Sequence, residues 1–456
     1  MMHLHILGIG GTFMSALALL AREDGYTVTG SDENCYPPVS DLLQAKGIVW
    51  TEGYDDTTQA MKADCIIVGN CMKRGIPILE AILRANKPYT SGPQWLAEHI
   101  LPRYRVFAVS GTHGKTTTTS MLAFILSQAG LDPAFLIGGV STDFHTSARL
   151  GKGDFFVIEA DEYDSAYFDK RPKFIHYHPE VAILNNLEFD HADIYENLAA
   201  IQLQFHYFLR TIPPQGVVIK PQDDAALNNV LARGNFCAVE EISLNGDATW
   251  RAELLDECGR AFRVKHHGKV VAEVNWSLIG RFNVENGLAA LAASHHAGVS
   301  PEVAAKALEQ FTPVKRRLEV KSNAHGVTIY DDFAHHPTAI TKTIGALKQS
   351  GRHQRIFVVL EFASYTMKSG VHADKMEAAL SGVDGVFILS PEKFSLTEIA
   401  KTWSFSHQFH PKTAAIVDAV ADIVRSGDAV LVMSNRGFEN IHQRLMDRID
   451  EKITFV

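Results

Sequence analysis

The chain has 456 residues, of which 46% are hydrophobic and 21% are charged, and its formal net charge is -9. A chain of this length is too long to fold around one compact core, and its length predicts about three domains. The composition excludes a disordered or fibrous protein. The acidic balance, without a lysine- or arginine-rich block, argues against general nucleic-acid or membrane-surface binding. The five cysteines form no CxxC pair and no signal peptide or long apolar run is evident, so we expect free thiols and a cytoplasmic protein.

Residues 1–103 alternate apolar runs with helical patterns, which predicts βαβ units around a parallel sheet. The first run ends in a glycine-rich turn, Gly8 to Phe13, and a second run ends at Asp32. Such a turn followed by an acid is typical of dinucleotide sites, but Phe13 stands where the third glycine belongs. The turn predicts contact with a nucleotide or a diphosphate, and a tight turn that binds nothing is the alternative. Chain breakers at 91–93 and 101–103 predict the first domain boundary.

The second segment opens with a short apolar run, 106–109, followed by S-G-T-H-G-K-T and a helical pattern. A strand, a glycine-rich turn and a helix together cradle phosphates: backbone N–H groups point into the loop, Lys115 reaches the β- and γ-phosphates, and Thr116 can bind Mg²⁺. The loop is shorter than the full Walker pattern, because a glycine five residues before Gly114 would fall at Val109. We expect a nucleotide site here rather than a plain strand-to-helix connection. One face of the helix is expected to carry Met121, Leu122, Phe124 and Ile125.

Acidic residues follow the next predicted strands, at the points where those strands end. The strand at 155–159 closes on a glutamate, and residues 160–164 add three more acids. An apolar strand that ends in acids is where a phosphate-loop protein holds Mg²⁺, and a solvated acidic loop is the alternative. The strand at 181–186 leads to His191 between two aspartates, which favours a site role for this histidine over a structural one.

The rest of the chain supplies a β-rich stretch and a third α/β region. Short β runs with polar turns at 216–277 predict an inserted or appended β element. A helix that follows carries Asn283 and Asn286 on one face. Beyond a basic join at 311–319, buried strands alternate with helical stretches and predict another α/β domain. The predicted domains are 1–103 (Rossmann-like), 104–311 (P-loop ATPase-type α/β with the β element) and 312–456 (Rossmann-like α/β).

Four motifs in this order, GTHGKTTTT, EADEYDS, LNNLEFDHADIY and DDFAHHPT, resemble the Mur ligase family of ATP-dependent, amide-bond-forming enzymes. Further stretches, including SGPQWLAE, FFVIEADEYD and TMK, resemble its murein peptide ligase branch. That branch joins L-alanyl-γ-D-glutamyl-meso-diaminopimelate to UDP-N-acetylmuramate in peptidoglycan recycling. The branch that adds only L-alanine is an alternative. A third possibility is a non-catalytic switch that binds NAD(H) in the first domain.

The resemblance implies ATP and Mg²⁺ as cofactors and assigns roles to individual residues. The phosphate loop would comprise Gly111, Thr112, His113, Gly114, Lys115, Thr116 and Thr117. Mg²⁺ would be held by Thr116, Glu159 and His191. Lys115, Glu159, His191 and Arg317 would act in catalysis. Asn283 would lie at adenine and Asp332 at ribose. UDP-N-acetylmuramate would meet Gly10, Gly11, Ser15, Ser31 and Asp32.

The sequence departs from the family pattern at three places. Residues 192–219 contain no lysine that could be carbamylated, Phe282 replaces the usual histidine before Asn283, and no arginine precedes TMK. The last departure leaves the peptide preference open. Three histidines, at positions 191, 335 and 336, have an ordinary pKa that suits a base for the amine. The expected partners are UDP-N-acetylmuramate and the tripeptide, without nucleic acid or membrane, and the expected state is a monomer or a weak homo-oligomer.

Overall fold

The computed structural model describes residues 2–390 and 400–454, which form three α/β units, each built on its own sheet. The mixed α/β architecture predicted from the sequence is confirmed. The exact domain boundaries stay predictions. Across the described ranges no helix is both long enough and apolar enough to cross a membrane.

The N-terminal unit is a five-stranded parallel sheet in the order β3-β2-β1-β4-β5. Its strands are β1 (His3–Leu7), β2 (Thr27–Asp32), β3 (Val49–Glu52), β4 (Cys65–Val68) and β5 (Tyr89–Ser91). Its helices are α1 (Thr12–Glu23), α2 (Val39–Ala45), α3 (Thr58–Lys62), α4 (Pro77–Arg84) and α5 (Gly92–His99). Because β2 and β4 flank β1 on opposite sides, the glycine turn after β1 lies where the strand order reverses, which is the usual ligand-binding point of such sheets.

The chain breakers at 91–93 start a helix rather than a linker. The Ser91 hydroxyl accepts a hydrogen bond from the Gln94 N–H at 3.3 Å, and Pro93 lies in the first turn of α5. Proline is tolerated there because the first helical N–H groups have no partner within the helix. Because α5 packs against β4 and β5 of the first sheet, residues 91–93 lie within the N-terminal unit, and the predicted boundary at residue 103 stays a prediction.

The central unit is a ten-stranded sheet in the order β15-β14-β13-β12-β11-β10-β6-β9-β7-β8. Its strands are β6 (Arg105–Ser110), β7 (Ala134–Leu136), β8 (Ala148–Arg149), β9 (Phe155–Glu159), β10 (Val181–Leu184), β11 (Val217–Pro221), β12 (Ala238–Ser243), β13 (Trp250–Leu254), β14 (Ala261–His266) and β15 (Lys269–Asn275). Its helices are α6 (Lys115–Gln128), α7 (Leu198–Leu209), α8 (Ala225–Ala232), α9 (Arg281–His295) and α10 (Pro301–Gln310).

The stretch 216–277 is not a separate β element. Its first two strands, β11 and β12, continue the central sheet in parallel beyond β10, with α8 between them. Only β13, β14 and β15 are joined by antiparallel pairing, and they extend the same sheet. The short α8, of which Leu227 and Val230 are buried, spans only about two turns, so periodicity alone does not reveal the βαβ pattern.

Helix α6 is buried on all sides along most of its length. Every side chain from Thr116 to Leu126 is buried, including the four apolar residues predicted to share one face. The helix lies against β6 and β9 on one side and against α9 and α10 on the other. A helix covered all round has no polar face to reveal its orientation, so the pattern identified the apolar face but not the burial of the remaining side chains. This burial fixes the position of the phosphate-loop residues at its N-terminus.

The C-terminal unit is a six-stranded sheet in the order β16-β17-β21-β18-β19-β20, parallel except for the pairing of β16 with β17. Its strands are β16 (Glu319–Ala324), β17 (Val327–Asp332), β18 (Arg355–Glu361), β19 (Gly385–Leu389), β20 (His407–His410) and β21 (Asp428–Met433). Its helices are α11 (Pro337–Gln349), α12 (Tyr365–Lys368), α13 (Met376–Leu380), α14 (Thr413–Ile423) and α15 (Ile441–Thr454).

The buried position of α6 predicts a large loss of stability on truncation. Replacing the fully buried Leu122 with alanine is expected to lower the free energy of unfolding by about 2 to 5 kcal/mol, because a cavity remains. The matched control is Val303→Ala on the exposed side of α10, for which we expect a change within about 0.5 kcal/mol. Denaturant unfolding of both variants measures the difference. Equal effects would contradict the all-round burial of α6.

Candidate active site

A cavity of about 760 Å³ lies where loops of the three units meet. Its wall includes the glycine turn after β1, the loop between β6 and α6, the acidic end of β9, the N-terminus of α9 and the segment that follows β17. Most of these segments follow the carboxyl ends of parallel strands, where open α/β sheets place their ligands. The cavity therefore brings the sequence motifs of all three units to one place.

The loop between β6 and α6 depends on two glycines. Gly111 has a φ of +127° and Gly114 a φ of +81°, backbone conformations that other residues rarely adopt. A Cβ on Gly111 would lie 2.8 Å from the Asn186 carbonyl oxygen, and one on Gly114 would lie 2.6 Å from Asn286 Oδ1. The Asn186 side chain also accepts a hydrogen bond from the His113 N–H at 2.8 Å. Only glycine permits this close approach of the loop to its neighbours.

Lys115 is held by two acids from the end of β9. Its Nζ lies 2.8 Å from Glu162 Oε2 and 3.8 Å from Asp161 Oδ1. Burial by itself lowers the pKa of Lys115, but the facing carboxylates outweigh it and leave the pKa above its ordinary value. Lys173, on a short 3₁₀ helix, lies 2.7 Å from Asp161 Oδ2. Burial raises the pKa of Asp161, yet Lys173 and Lys115 bring it below its ordinary value, so its carboxylate is charged.

His191 joins the same cluster through Glu162. Its Nε2 lies 3.2 Å from Glu162 Oε1, and ligand atoms of Asp161, Glu162 and His191 lie within 4.8 Å of one another. Burial lowers the pKa of His191, but the bond to Glu162 and the charge of Asp190 raise it to about 9. The imidazole is therefore protonated at neutral pH while this partner is ionised.

Glu159 belongs to a neighbouring group rather than to the His191 cluster. Its Oε1 accepts a hydrogen bond from the Thr116 hydroxyl at 3.2 Å, and its Oε2 accepts one from the Gly138 N–H at 2.7 Å. Burial raises the pKa of Glu159, although Lys115 lies close. The three predicted metal ligands are thus divided: Thr116 and Glu159 touch, whereas His191 pairs with Glu162. The sequence shows four acids here but not which one faces the histidine.

Arg317 reaches the phosphate loop from the C-terminal unit. Its guanidinium donates a hydrogen bond to the Thr116 hydroxyl at 3.2 Å and lies 4.9 Å from the ring centre of Phe333. Asp332 orders the backbone next to Arg317. One of its carboxylate oxygens accepts a hydrogen bond from the N–H of Leu318, which directly follows Arg317, and the other accepts one from the Ala334 N–H, each at 2.8 Å. Both Arg317 and Asp332 line the cavity. The ribose contact expected of Asp332 stays a prediction.

The helix α9 residues named from the sequence also face the cavity. Asn283 and Asn286 both line it, as their shared helix face predicts. The Asn283 amide donates to the Ile279 carbonyl at 2.8 Å, which leaves its Oδ1 as an acceptor. Phe282 lines the same part of the wall, at the position where a histidine is usual.

The expected UDP-sugar residues of the N-terminal unit fall into two sets. Gly10, Gly11 and Ser15 line the cavity. Asp32 stands behind the glycine turn, with its Oδ2 accepting the Gly10 N–H at 2.8 Å. Ser31 is fully buried and its hydroxyl lies 3.1 Å from His5 Nε2. Neither of these last two residues lines the cavity, so Asp32 orders the turn in this structure and the side chain of Ser31 faces the interior.

Comparison with known proteins decides the family. Three family models match the chain: Mur ligase family, catalytic domain, over residues 3–104; Mur ligase middle domain, over 109–294; and Mur ligase, glutamate ligase domain, over 316–436. The chain belongs to the Mur ligase family. The resemblance predicted from the four motifs is confirmed.

Individual relatives indicate which branches of the family this Mur ligase resembles. It is 48% identical to the UDP-N-acetylmuramate–L-alanyl-γ-D-glutamyl-meso-2,6-diaminoheptandioate ligases of Haemophilus influenzae, over 99% of the chain and 100% of that protein, and of Escherichia coli, over 99% of both. The crystal structure of a murein peptide ligase from Psychrobacter arcticus matches with a TM-score of 0.78 and 43% identity, covering 98% of this chain and 99% of that one. Six UDP-N-acetylmuramate–L-alanine ligases are 30% to 34% identical.

Several residues of the Mur ligase site are not evident from sequence. Lys173 lies outside the strand-end motifs, and Glu188 lies inside one of them but carries no special signal there. Lys173 reaches Asp161 because its 3₁₀ helix folds back towards β9, and Glu188 meets His113 and His336 across two units. No periodicity or spacing encodes such contacts.

The pairing of His191 with Glu162 predicts a pH shift. In Glu162→Gln protein without bound metal, the carboxylate that favours the protonated imidazole is gone, while burial still disfavours it. The pKa of His191 should therefore fall from about 9 to about 8 or below, a change of at least about 1.4 kcal/mol. Histidine NMR titration measures this, and His191→Gln identifies the resonance. An unchanged pKa would show that Glu162 does not hold the proton on the imidazole.

Proposed function

We propose that this protein is an ATP-dependent ligase that joins L-alanyl-γ-D-glutamyl-meso-diaminopimelate to the carboxylate of UDP-N-acetylmuramate, releasing ADP and phosphate. One observation carries the proposal: the phosphate loop, its acidic cluster and Arg317 of the third unit line one cavity, in a chain that matches tripeptide ligases from end to end. Because the reaction consumes ATP, we place it in the cytoplasm, as part of peptidoglycan recycling.

The first step of this reaction transfers the γ-phosphoryl group of ATP to the muramate carboxylate and gives an acyl phosphate. Such a transfer needs positioning and neutralisation of charge rather than a covalent nucleophile. The Lys115 ammonium has three donors, and its hydrogen bond to Glu162 leaves others for the β- and γ-phosphates. Arg317 approaches the same loop from the opposite side and adds a second cation, since it already donates to Thr116.

The donor atoms around the loop fit Mg²⁺. The adjacent Thr116 hydroxyl and Glu159 carboxylate offer the oxygen ligands that this hard cation prefers. Asp161, Glu162 and His191 form a second group whose ligand atoms are close enough to share a divalent ion. Mg²⁺ bound at these residues would neutralise phosphate charge, which is the chemistry that the family's reaction requires.

In the second step the free amine of the peptide attacks the acyl phosphate and displaces phosphate. The amine must lose a proton, and the histidines near the cavity differ in their ability to take it. Burial lowers the pKa of His335 and His336, so both are neutral at pH 7, whereas His191 is protonated in this arrangement. We therefore favour His335 over His191 as the acceptor, since the lower pKa of His336, about 3, makes that imidazole a weak base.

Two other functions fit these observations less well. Addition of L-alanine alone is the nearest alternative, but the alanine ligases are 30% to 34% identical to this chain against 48% for the tripeptide ligases. A non-catalytic NAD(H)-binding switch is disfavoured, because the cavity joins the first unit to a phosphate loop and an arginine that such a switch would not need.

The first test of the proposal compares the two amine substrates. With UDP-N-acetylmuramate and ATP, we expect ADP release with the tripeptide and at least about tenfold less with L-alanine, since L-alanine lacks the groups of the longer peptide that could make further contacts. A coupled ADP assay measures both rates. Turnover with alanine and none with tripeptide would establish the alternative ligase, and no ADP with either would refute ligase activity.

The second test removes the loop lysine. Lys115→Ala should lower ADP formation by at least about 100-fold, because one charge-stabilising donor is lost, while UDP-N-acetylmuramate binding, measured by calorimetry, stays nearly unchanged. Lys269→Ala, an exposed lysine of β15, is the control.

Loss of Lys115 also removes one cation from the buried Glu162 carboxylate and leaves His191 as its remaining ion-pair partner, and breaking a buried ion pair can cost about 3 to 5 kcal/mol of stability. The double variant Lys115→Met with Glu162→Gln removes both charges and separates the two effects. Recovery of stability without activity would assign Lys115 a role in catalysis. Recovery of activity as well would contradict that role.

A further inference from the structure

A second cluster of ligating side chains lies at the junction of the central and C-terminal units. It consists of His113 from the phosphate loop, Glu188 from the segment after β10 and His336 at the N-terminal cap of α11. Glu188 Oε2 lies 3.5 Å from His113 Nε2 and 3.4 Å from His336 Nδ1. None of the three belongs to the Asp161–Glu162–His191 group.

These spacings match a tetrahedral metal site. Zinc binds histidine nitrogen and carboxylate oxygen at about 2.1 Å, which places two tetrahedral ligands about 3.4 Å apart. The two separations from Glu188 Oε2 agree with that edge length, and all three ligand atoms lie within 4.8 Å of one another. Small side-chain movements suffice to complete the geometry.

The present contacts leave the nitrogens of this cluster poorly satisfied. His113 Nε2 is buried and makes no hydrogen bond to any residue that the structure describes. His336 is 4% exposed, and its Nδ1 accepts a long 3.3 Å hydrogen bond from the Thr338 N–H. The same nitrogen lies 3.4 Å from Glu188 Oε2. An acceptor nitrogen and a carboxylate oxygen this close together repel, and a cation that takes the weakly used lone pair would remove that repulsion.

A neighbouring hydroxyl fixes the orientation of the carboxylate in this cluster. The Thr338 hydroxyl donates to Glu188 Oε2 at 2.7 Å and orients the carboxylate.

We propose that His113, Glu188 and His336 form a site for a zinc-type divalent cation, separate from the oxygen-rich Mg²⁺ groups of the phosphate loop. Two imidazoles and one carboxylate favour a borderline cation, whereas Mg²⁺ prefers oxygen ligands in an octahedral arrangement. Glu188 is partly exposed and gives the ion a route from solvent. The bound ion would join the phosphate loop to the first turn of α11 and so tie the two units together. The site does not depend on the proposed ligase reaction.

The test measures Zn²⁺ binding to the full-length protein in excess MgCl₂, by competition with a chromophoric chelator. We expect the wild type to bind one Zn²⁺ per chain. In His336→Gln the affinity for Zn²⁺ should fall by more than the about 10- to 100-fold that is typical of removing an outer-shell partner. Glu188→Gln, which keeps an acceptor for Thr338, is a second variant that should fold, with circular dichroism as the check. His191→Gln is the matched control and should bind Zn²⁺ as the wild type does.

Co²⁺ gives a second readout, because four-coordinate Co²⁺ absorbs visible light much more strongly than six-coordinate Co²⁺. The wild type and His191→Gln should give the intense spectrum, and the His336 and Glu188 variants should not. Unchanged Zn²⁺ affinity in folded His336→Gln and Glu188→Gln would overturn the proposal. Loss of binding in His191→Gln would do the same, since the ion would then occupy the phosphate-side cluster.

Discussion

The burial of the Lys115 ammonium group is the constraint on which the site depends. An unpaired buried charge is costly, so the lysine requires carboxylates within a few ångströms. Glu162 and Asp161 supply them, and each of these acids in turn holds another cation, His191 for Glu162 and Lys173 for Asp161. The phosphate loop, the end of β9, the segment after β10 and a 3₁₀ helix are thereby tied into one network of alternating charge.

The C-terminal unit closes this network from the other side. Arg317 donates to Thr116 of the phosphate loop, Thr338 donates to Glu188, and the Ala192 N–H donates to the Thr366 hydroxyl at 3.3 Å. All three contacts are polar and are made by loops or helix ends. Such an interface is easily exchanged for contacts with a substrate, which fits a reaction that requires domains to open and close.

The two clusters of titratable groups differ in the cation that they suit. Around Lys115 the donors are mainly carboxylate and hydroxyl oxygens, and lysines compete there for the same acids. Around Glu188 two imidazole nitrogens predominate and no lysine is in contact among the described residues. Ligand chemistry alone thus suits the first cluster to a hard cation and the second, as proposed above, to a borderline cation.

The sequence by itself determined the α/β class, the phosphate loop and the acidic strand ends, because glycine turns, buried strands and strand-end acids are local features with recognisable spacing. It did not show that 216–277 begins by continuing the central parallel sheet, or that α6 is buried on every side, since a helix of about two turns and an all-round buried helix lack the periodicity that reveals their setting. Tertiary structure alone decided that His191 faces Glu162 rather than Glu159, and that His113 meets His336. These choices depend on how strands align and units dock, which brings residues far apart in the chain within hydrogen-bond distance and leaves no trace in their spacing.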